Sequence, residues 1–267
     1  MPGLEWGDEF AGRKVVLTGA CGVIGRWIAE TFAEVGARLC LSDQRGDALA
    51  ALADELSIIS DGGIVHATNL GDSQSIDDLV AKVEKAWGAP DIVINNAGVY
   101  PSGFLIDIDA NEWDRIFDTN LRAPFLVSRG FAKLMIAGKV RGNIINISSG
   151  AARRMRRTVV PYCTSKTALD RLTKGFAIEL AEFGIRVNAV EPGFAAGSTA
   201  SPLTAAHVES TTAGIPMGRA SLPDDAPNAI MFLCSSKAAY VTGATLSVDG
   251  GNSIGSLMVY QDKKNPG

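Results

Sequence analysis

The chain has 267 residues, of which 46% are hydrophobic and 20% are charged, and its net charge is −4. This composition is typical of a globular protein, and the acidic balance argues against a nucleic-acid-binding protein, which usually has an excess of basic residues. No apolar run approaches the ~20 residues that cross a bilayer, and the N-terminal MPGLEWGDEF lacks the layout of a signal peptide. We see no linker, low-complexity stretch or internal repeat, so we expect residues 1–267 to form one domain.

Thiol and imidazole side chains are few and scattered along the chain. The four cysteines form no Cys-x-x-Cys pair, which favours a reducing, cytoplasmic location. The only histidines are His66 and His207, far apart in sequence, so a histidine-based metal site or catalytic triad has little to build on. We therefore expect no metal.

Short runs rich in valine and isoleucine alternate with longer amphipathic stretches. The runs are almost continuously apolar, as expected for a parallel sheet that helices cover on both faces. This alternation predicts an α/β fold with a doubly wound sheet of about seven strands, whose ligands bind beyond the carboxyl ends of the strands. The predicted strands are Lys14–Gly19, Ala37–Asp43, Gly63–Leu70, Asp91–Asn96, Gly142–Ser149, Ile185–Val190 and Ala244–Val248.

Four stretches between these strands carry apolar residues at helical spacing. Glycines follow them and are typical C-terminal stops. The stripes are Ile24, Ile28 and Phe32; then Ile76, Leu79, Val80 and Val83; then a long one with Ile116, Leu121, Phe125 and Phe131; and finally Ala168, Leu172, Phe176 and Leu180, with stops at Gly36, Gly88, Gly138 and Gly184.

A glycine-rich turn over residues 18–25 joins the first predicted strand to the first helix. Glycines there let the backbone approach a pyrophosphate, and the helix N-terminus offers free N–H groups to it. A glycine motif is weak evidence by itself, but the predicted strand before it and the predicted helix after it strengthen the interpretation. The turn therefore predicts a dinucleotide-binding site.

Asp43 ends the second predicted strand. A carboxylate there can accept hydrogen bonds from ribose hydroxyls and repels a 2′-phosphate, which favours NAD over NADP. Two alternatives stay open: an aspartate that merely starts a turn, and a phosphate bound by the nearby Arg45. Asn95–Gly98, after the fourth strand, fits either a close approach to the cofactor or an ordinary turn.

Tyr162 and Lys166 lie four residues apart, and Ser149 precedes the tyrosine by thirteen positions. Residues four apart share one face of a helix, so we expect the ammonium to lower the pKa of the phenol. Such a phenol can exchange a proton with an alcohol or carbonyl oxygen, which the Ser149 hydroxyl can hold. A Tyr-x-x-x-Lys pattern alone also occurs on ordinary surface helices.

Together these motifs resemble the classical short-chain dehydrogenase/reductase family over about residues 10–251. Asn120, the Pro192-Gly193 turn and the closing Val248–Gly251 also match its pattern. The resemblance implies a Rossmann-type domain, a homotetramer or homodimer, and reversible alcohol–carbonyl oxidoreduction. It implies Tyr162 as general acid/base, Lys166 as its activator and a ribose ligand, Ser149 rather than Ser148 as substrate holder, and Asn120 in a proton relay. The implied cofactor contacts are Gly19, Cys21, Gly22, Val23, Ile24, Gly25, Asp43, Asn69, Leu70, Asn96, Ala97, Gly98, Tyr162, Lys166, Pro192, Gly193 and Ala195.

Three positions depart from that pattern. Val23 stands where the middle glycine of the loop is expected, and Gly22 lies one residue earlier. Asn69 replaces an aspartate that often faces the adenine in this family. Gly197 occupies a common threonine position, so the contact to the nicotinamide carboxamide is left open between Ala195, Ser198 and Thr199.

Residues 153–157 carry four arginines between Ser149 and Tyr162. Arginine forks suit carboxylate, phosphate or sulfonate oxygens, so Arg153 and Arg154 become candidates for binding an anionic substrate. A solvated loop or a subunit contact is the alternative, since charge runs usually face solvent. We expect a lid over about residues 194–221, whose small polar residues favour a small polar substrate, and a C-terminal extension over 252–267 that packs on a neighbouring subunit.

These features predict an NAD-dependent dehydrogenase that oxidises a secondary alcohol, sugar or polyol, including anionic ones such as a sugar acid or sulfonated sugar. The first alternative is a ketone or 3-oxoacyl thioester reductase of the same fold. An alternative of another class is a dinucleotide-binding sensor or scaffold without turnover, which the intact Ser149, Tyr162, Lys166 and Asn120 disfavour.

Overall fold

Seven parallel strands form one sheet in the order β3-β2-β1-β4-β5-β6-β7. The computed structural model describes residues 6–197 and 203–255. Each strand begins within one residue of its predicted start, so the predicted Rossmann-type sheet is confirmed. The strands are β1 (Lys14–Thr18), β2 (Arg38–Asp43), β3 (Ile64–Ala67), β4 (Ile92–Asn95), β5 (Asn143–Ile147), β6 (Arg186–Pro192) and β7 (Thr245–Val248).

Helices cover both faces of the sheet. Neighbouring residues of β1 point to opposite faces, so Leu17 joins the apolar layer on one side and Val16 the layer on the other. The helices are α1 (Val23–Glu34), α2 (Gly46–Glu55), α3 (Ser73–Trp87), α4 (Ala110–Phe117), α5 (Ala123–Ala137), α6 (Val160–Leu180), α7 (Ala205–Ala213) and α8 (Asp225–Cys234). In the described ranges, no helix combines the length and the hydrophobicity that a bilayer crossing requires.

The strand order reverses beside β1, which lies between β2 and β4. Leu17 pairs with Leu41 of β2 on one side and with Ile94 of β4 on the other. Chain connections leave the two sides in opposite directions, which opens a crevice beyond the carboxyl ends of these strands. The turn after β1 and residues 96–98 after β4 both enter this crevice.

The long helix predicted from Ile116 to Phe131 is interrupted. α4 and α5 are separated by one π-helical turn, Asp118–Arg122, in which Asn120 is fully buried. Pro124 sits in the first turn of α5 and has no N–H to continue the α-helical pattern. Single π-helical turns occur often at functional sites, and this one carries the asparagine of the expected proton relay.

Candidate active site

One cleft of about 1630 Å³ lies at the carboxyl ends of the strands. Pockets for a single small molecule measure roughly 300–1,000 Å³, so this cleft has room for a dinucleotide and a substrate together. All the expected cofactor residues except Lys166 line it, as do Ser149 and Arg156. Among residues 6–197 and 203–255, no group of three His, Cys, Asp or Glu side chains could hold a metal ion.

The turn after β1 needs glycine because backbone atoms pass very close to it. Gly19 has a φ of +66°, and a Cβ atom there would lie 2.7 Å from the Cα of Ala97. A Cβ on Gly25 would lie 2.1 Å from the carbonyl oxygen of Gly19. The amide of Asn96 braces the turn by donating to the carbonyls of Thr18 at 3.1 Å and Gly19 at 2.9 Å. This end of the cleft is therefore a tightly held backbone surface.

The substitution of Val23 for the expected middle glycine coincides with the start of α1. Gly22 is the extended N-cap residue, with φ −73° and ψ 165°, and no side chain caps the helix. Free N–H groups of the first helical turn therefore face the cleft, where they suit an anion such as a pyrophosphate. The pyrophosphate contact itself stays a prediction.

Asp43 ends β2 and faces the cleft, although its carboxylate is already engaged. One oxygen accepts from the backbone N–H and the Nε of Arg45, both at 3.0 Å, and the other accepts from the Cys21 N–H at 3.0 Å. Burial alone works against ionisation, but these bonds outweigh it and hold the pKa of Asp43 below its usual value. Asp43 is therefore a charged acceptor. Its partner is Arg45, the arginine that suits a 2′-phosphate and so argues against the NAD prediction.

Tyr162 and Lys166 lie one turn apart near the start of α6. The Lys166 ammonium is 5.8 Å from the centroid of the Tyr162 ring and donates to the Ile147 carbonyl at 2.7 Å. Tyr100 packs edge-on against Tyr162, with 4.5 Å between the ring centroids. The Ser149 hydroxyl accepts from the Ala151 N–H at 3.2 Å and remains able to donate to the phenol or to a substrate oxygen.

The expected lowering of the Tyr162 pKa is wrong for the protein as the structure shows it. Burial raises the pKa of Tyr162 to about 12, and the Ser149 hydroxyl and the Arg156 guanidinium only partly oppose it. Burial also lowers the pKa of Lys166 to about 8. The ammonium bonds to the Ile147 carbonyl instead of the phenol, so helical spacing brings the two residues together without the expected effect on the phenol.

Asn120 lies behind this pair. Its amide accepts from the Val99 N–H at 2.8 Å and donates to the Val99 carbonyl at 3.0 Å. A Cβ on Gly98 would lie 3.3 Å from the Asn120 Oδ1 and 3.5 Å from the Lys166 Nζ, so the three residues meet at one point. Ser148, the alternative to Ser149, is buried and does not line the cleft. The water relay stays a prediction.

The turn after β6 closes the far side of the cleft. The Gly193 N–H donates to the Val248 carbonyl at 2.8 Å, and a Cβ on Gly193 would lie 2.7 Å from the Ser221 Oγ. Ala195 lines the cleft, whereas Ser198 and Thr199 lie outside the described residues. The C-terminal extension beyond residue 255 lies outside them too.

The expected lid is partly helical. α7 begins at Ala205 and carries His207, whose ring packs edge-on against Phe194 with 6.4 Å between centroids. Both rings line the cleft. The Ser221 N–H donates to the Phe194 carbonyl at 2.8 Å, which ties the end of this segment to the turn after β6.

The structure distinguishes among the arginines of residues 153–157. Arg153 pairs with the fully buried Glu191, and Arg154 donates to two backbone carbonyls at 3.3 and 3.4 Å. Neither residue lines the cleft, whereas Arg156 does. Glu191 directly precedes Pro192, and a buried carboxylate there attracts the nearest arginine.

Three residues of the site escaped sequence reasoning: Tyr100, Arg156 and His207. Tyr100 follows the Asn95–Gly98 turn by two positions. Its place just after the carboxyl end of β4 predicts a position at the ligand-binding edge of the sheet. Arg156 belongs to the recognised run, but nothing local distinguishes it from its neighbours. His207 lies in a segment with no apolar stripe.

Comparison with known proteins supports this assembly of parts. A family described as enoyl-(acyl carrier protein) reductase matches residues 19–253. A 3-oxoacyl-(acyl-carrier-protein) reductase of Rickettsia bellii is 35% identical over 243 residues, which cover 91% of this chain and 98% of that protein. A sorbitol dehydrogenase of Cereibacter sphaeroides is 32% identical over 252 residues, covering 90% and 97%. A solved gluconate 5-dehydrogenase of Burkholderia cenocepacia, in complex with NADP and tartrate, matches with a TM-score of 0.84 and 30% identity, covering 93% and 98%.

Proposed function

The chain belongs to the short-chain dehydrogenase/reductase family of nicotinamide-dinucleotide-dependent oxidoreductases, and we propose that it oxidises a secondary alcohol of a sugar or polyol with NAD. One observation carries this proposal: Tyr162 and Ser149 line the same cleft as the glycine turn and Asp43. One domain then holds both dinucleotide and substrate.

The residues present fit a dinucleotide. The crowded backbone at Gly19 and Gly25 and the uncapped start of α1 suit a pyrophosphate, and Asp43 suits an adenosine ribose. Tyr162 lines the cleft and would hold the other ribose, and the family resemblance implies Lys166, whose ammonium donates to the Ile147 carbonyl in this structure, as the second ligand. The bound nicotinamide supplies the acceptor for the hydride that leaves the substrate carbon.

The chain's own groups handle the proton. Tyr162 takes the proton of the substrate hydroxyl, and the Ser149 hydroxyl donates a hydrogen bond to the same oxygen. Burial raises the pKa of Tyr162 to about 12 even though the Ser149 hydroxyl and the Arg156 guanidinium oppose the rise, so this step needs further positive charge near the phenol. The family resemblance assigns this task to the Lys166 ammonium, which lies 5.8 Å from the centroid of the Tyr162 ring, and a bound oxidised nicotinamide would add its positive charge.

The preference for NAD rests on Asp43, and Arg45 opposes it. The carboxylate disfavours a 2′-phosphate, but the guanidinium paired with it offers that phosphate a partner. We expect wild-type kcat/KM to be higher with NAD than with NADP. Replacement of Arg45 by Met should widen the difference, and replacement of Asp43 by Ala should reverse it. Equal ratios in all three proteins would refute this assignment.

The substrate class rests on the sorbitol and gluconate dehydrogenases among the relatives. A spectrophotometric screen for NADH formation over neutral polyols, sugar acids and hydroxy acids tests it, with Tyr162→Phe as the inactive control. Tight dinucleotide binding without turnover of any alcohol would favour the sensor or scaffold alternative.

A second candidate is reduction of a 3-oxoacyl thioester. The 35% identical reductase of Rickettsia bellii favours it. Acetoacetyl-coenzyme A with NADH and with NADPH distinguishes the two readings. A kcat/KM with NADPH far above that of every alcohol with NAD would replace our first proposal.

Location and assembly are proposed on narrower grounds. All four cysteines are free, which suits a reducing cytoplasm.

Phe125 of α5 and Ile178 of α6 are 39% and 80% exposed on neighbouring helices, as suits a dimer or tetramer contact. Light scattering of the purified protein measures the assembly directly, and a monomer would contradict this proposal.

A further inference from the structure

Arg156 differs from the other three arginines of its loop. Arg153 and Arg154 bond to protein groups, and the Arg157 guanidinium lies 4.9 Å from the centre of the Phe104 ring. The Arg156 side chain makes no ion pair or hydrogen bond with any residue in 6–197 or 203–255. It is nevertheless half-buried and lines the cleft. A half-buried guanidinium without a partner gains most from a bound anion.

Contacts hold the backbone of the loop close to Arg156. The Gly103 N–H donates to the Thr158 carbonyl at 2.7 Å, and Thr158 has a φ of +69°. A β-branched residue adopts that left-handed conformation only where surrounding contacts hold it. The charge of Arg156 also reaches the Tyr162 phenol, where it favours the ionised form. Arg156 therefore lines the same cleft as Ser149 and Tyr162.

We propose that Arg156 is the specificity-determining residue that binds the carboxylate of a polyhydroxy acid while a hydroxyl of the same molecule faces Ser149 and Tyr162. This inference rests on the proposed function and narrows its substrate class. A planar carboxylate matches the guanidinium fork through two parallel N–H···O bonds. A neutral polyol has no carboxylate, so its binding does not depend on the Arg156 guanidinium.

The experiment compares D-gluconate with sorbitol, the acid and the polyol of the same chain length. We expect R156M to lower the ratio of kcat/KM for D-gluconate to kcat/KM for sorbitol about 10- to 100-fold, which is the effect of losing one charge-assisted contact. R156K should lose less, because lysine keeps the charge without the fork. R157M removes the same charge from an exposed neighbour and should leave the ratio within about threefold. The ratio cancels any general effect of Arg156 on the Tyr162 phenol.

Binding provides a second readout that needs no turnover. Calorimetric titration of tartrate into dinucleotide-loaded enzyme should show about tenfold weaker binding to R156M than to wild type or R157M. An unchanged affinity, or an equal loss in R156M and R157M, overturns the inference. So does a drop on sorbitol as large as that on gluconate.

The outcomes separate the two proposals. If the wild-type enzyme oxidises neutral polyols but neither oxidises nor binds the acids, the inference fails and the proposed function stands. If no alcohol is oxidised but tartrate binding depends on Arg156, the proposed function fails and the anion site stands. If R156M impairs only acetoacetyl-coenzyme A reduction, the carboxylate assignment is wrong.

Discussion

At the dinucleotide end of the cleft, the critical residues are fixed by contacts between backbone atoms, whereas at the substrate end they are charged side chains on a loop. Gly19 and Gly25 are required because a Cβ on either would overlap neighbouring main-chain atoms. Arg153 and Arg156, three positions apart, have different roles because one reaches Glu191 and the other reaches the cleft. One end depends on shape and the other on the pairing of charges.

From this difference we expect the two ends of the cleft to tolerate substitution independently. We expect the backbone surface at Gly19 to accommodate a dinucleotide pyrophosphate, since N–H groups rather than side chains would face it. We expect residues 153–157 to influence which molecule lies against Tyr162, because a single substitution there can alter charge without moving the sheet. Variants that affect one end but spare the other therefore test whether the two ends are independent.

The largest effect is expected for Tyr162→Phe. Removing the hydroxyl should lower kcat/KM about 10²- to 10⁴-fold, the range for loss of a general acid or base. The ring remains to pack against Tyr100, so the fold should be unchanged. Steady-state kinetics and calorimetric dinucleotide binding measure the two effects. If binding fell as steeply as turnover, the two ends would not be separable.

A smaller effect is expected at the dinucleotide end for Gly25→Ala. Its new Cβ would lie 2.1 Å from the Gly19 carbonyl oxygen, so the turn must shift at a cost of about 1–3 kcal/mol in folding or dinucleotide binding. Gly22→Ala is the matched control, because its Cβ would meet the same oxygen at an ordinary 3.4 Å. Thermal unfolding and dinucleotide titration of both variants test this. Similar losses in the two would show that close approach is not what makes Gly25 necessary.

The fold was largely predictable because parallel strands are apolar on both faces. All seven strands were found that way, but α2, α7 and α8 were not assigned. α8, with the sequence DAPNAIMFLC, is apolar almost all round, so it shows no stripe. The stripe assigned to α6 ran through Leu172 and Phe176, whereas its buried face runs through Lys166, Leu169 and Thr173. Two of those buried residues are polar, so a search for apolar spacing passes over them.

The site was also only partly predictable: its backbone motifs could be recognised from the sequence, but its long-range contacts could not. Glycine and asparagine motifs report local backbone geometry, which a sequence encodes directly. The partner of Arg153 lies 38 residues away, and nothing local indicates which arginine reaches it. The direction of the Tyr162 pKa shift also depends on burial, which helical spacing does not reveal.

The smallest predicted effect belongs to Arg153→Met, which concerns stability rather than substrate choice. Burial raises the pKa of Glu191, and the Ser247 hydroxyl and Arg153 oppose that rise. Removing the guanidinium leaves the carboxylate buried without a cation. Because the Arg153 side chain is 45% exposed, we discount the usual cost of breaking a buried pair to about 1–2 kcal/mol.

The pH dependence of that cost identifies its cause. A carboxyl whose pKa is raised on folding contributes stability below its ordinary value of 4.5 and loses it as pH rises through the folded value. Arg153→Met raises the folded pKa further, so the variant should match wild type near pH 4.5 and fall behind it towards pH 8. Chemical unfolding at both pH values measures this. In a Glu191→Gln background the same substitution should cost little, because no buried charge remains. A pH-independent cost, or one unchanged in that background, would mean that Arg153 acts through packing alone, and that charge pairing does not distinguish it from Arg156.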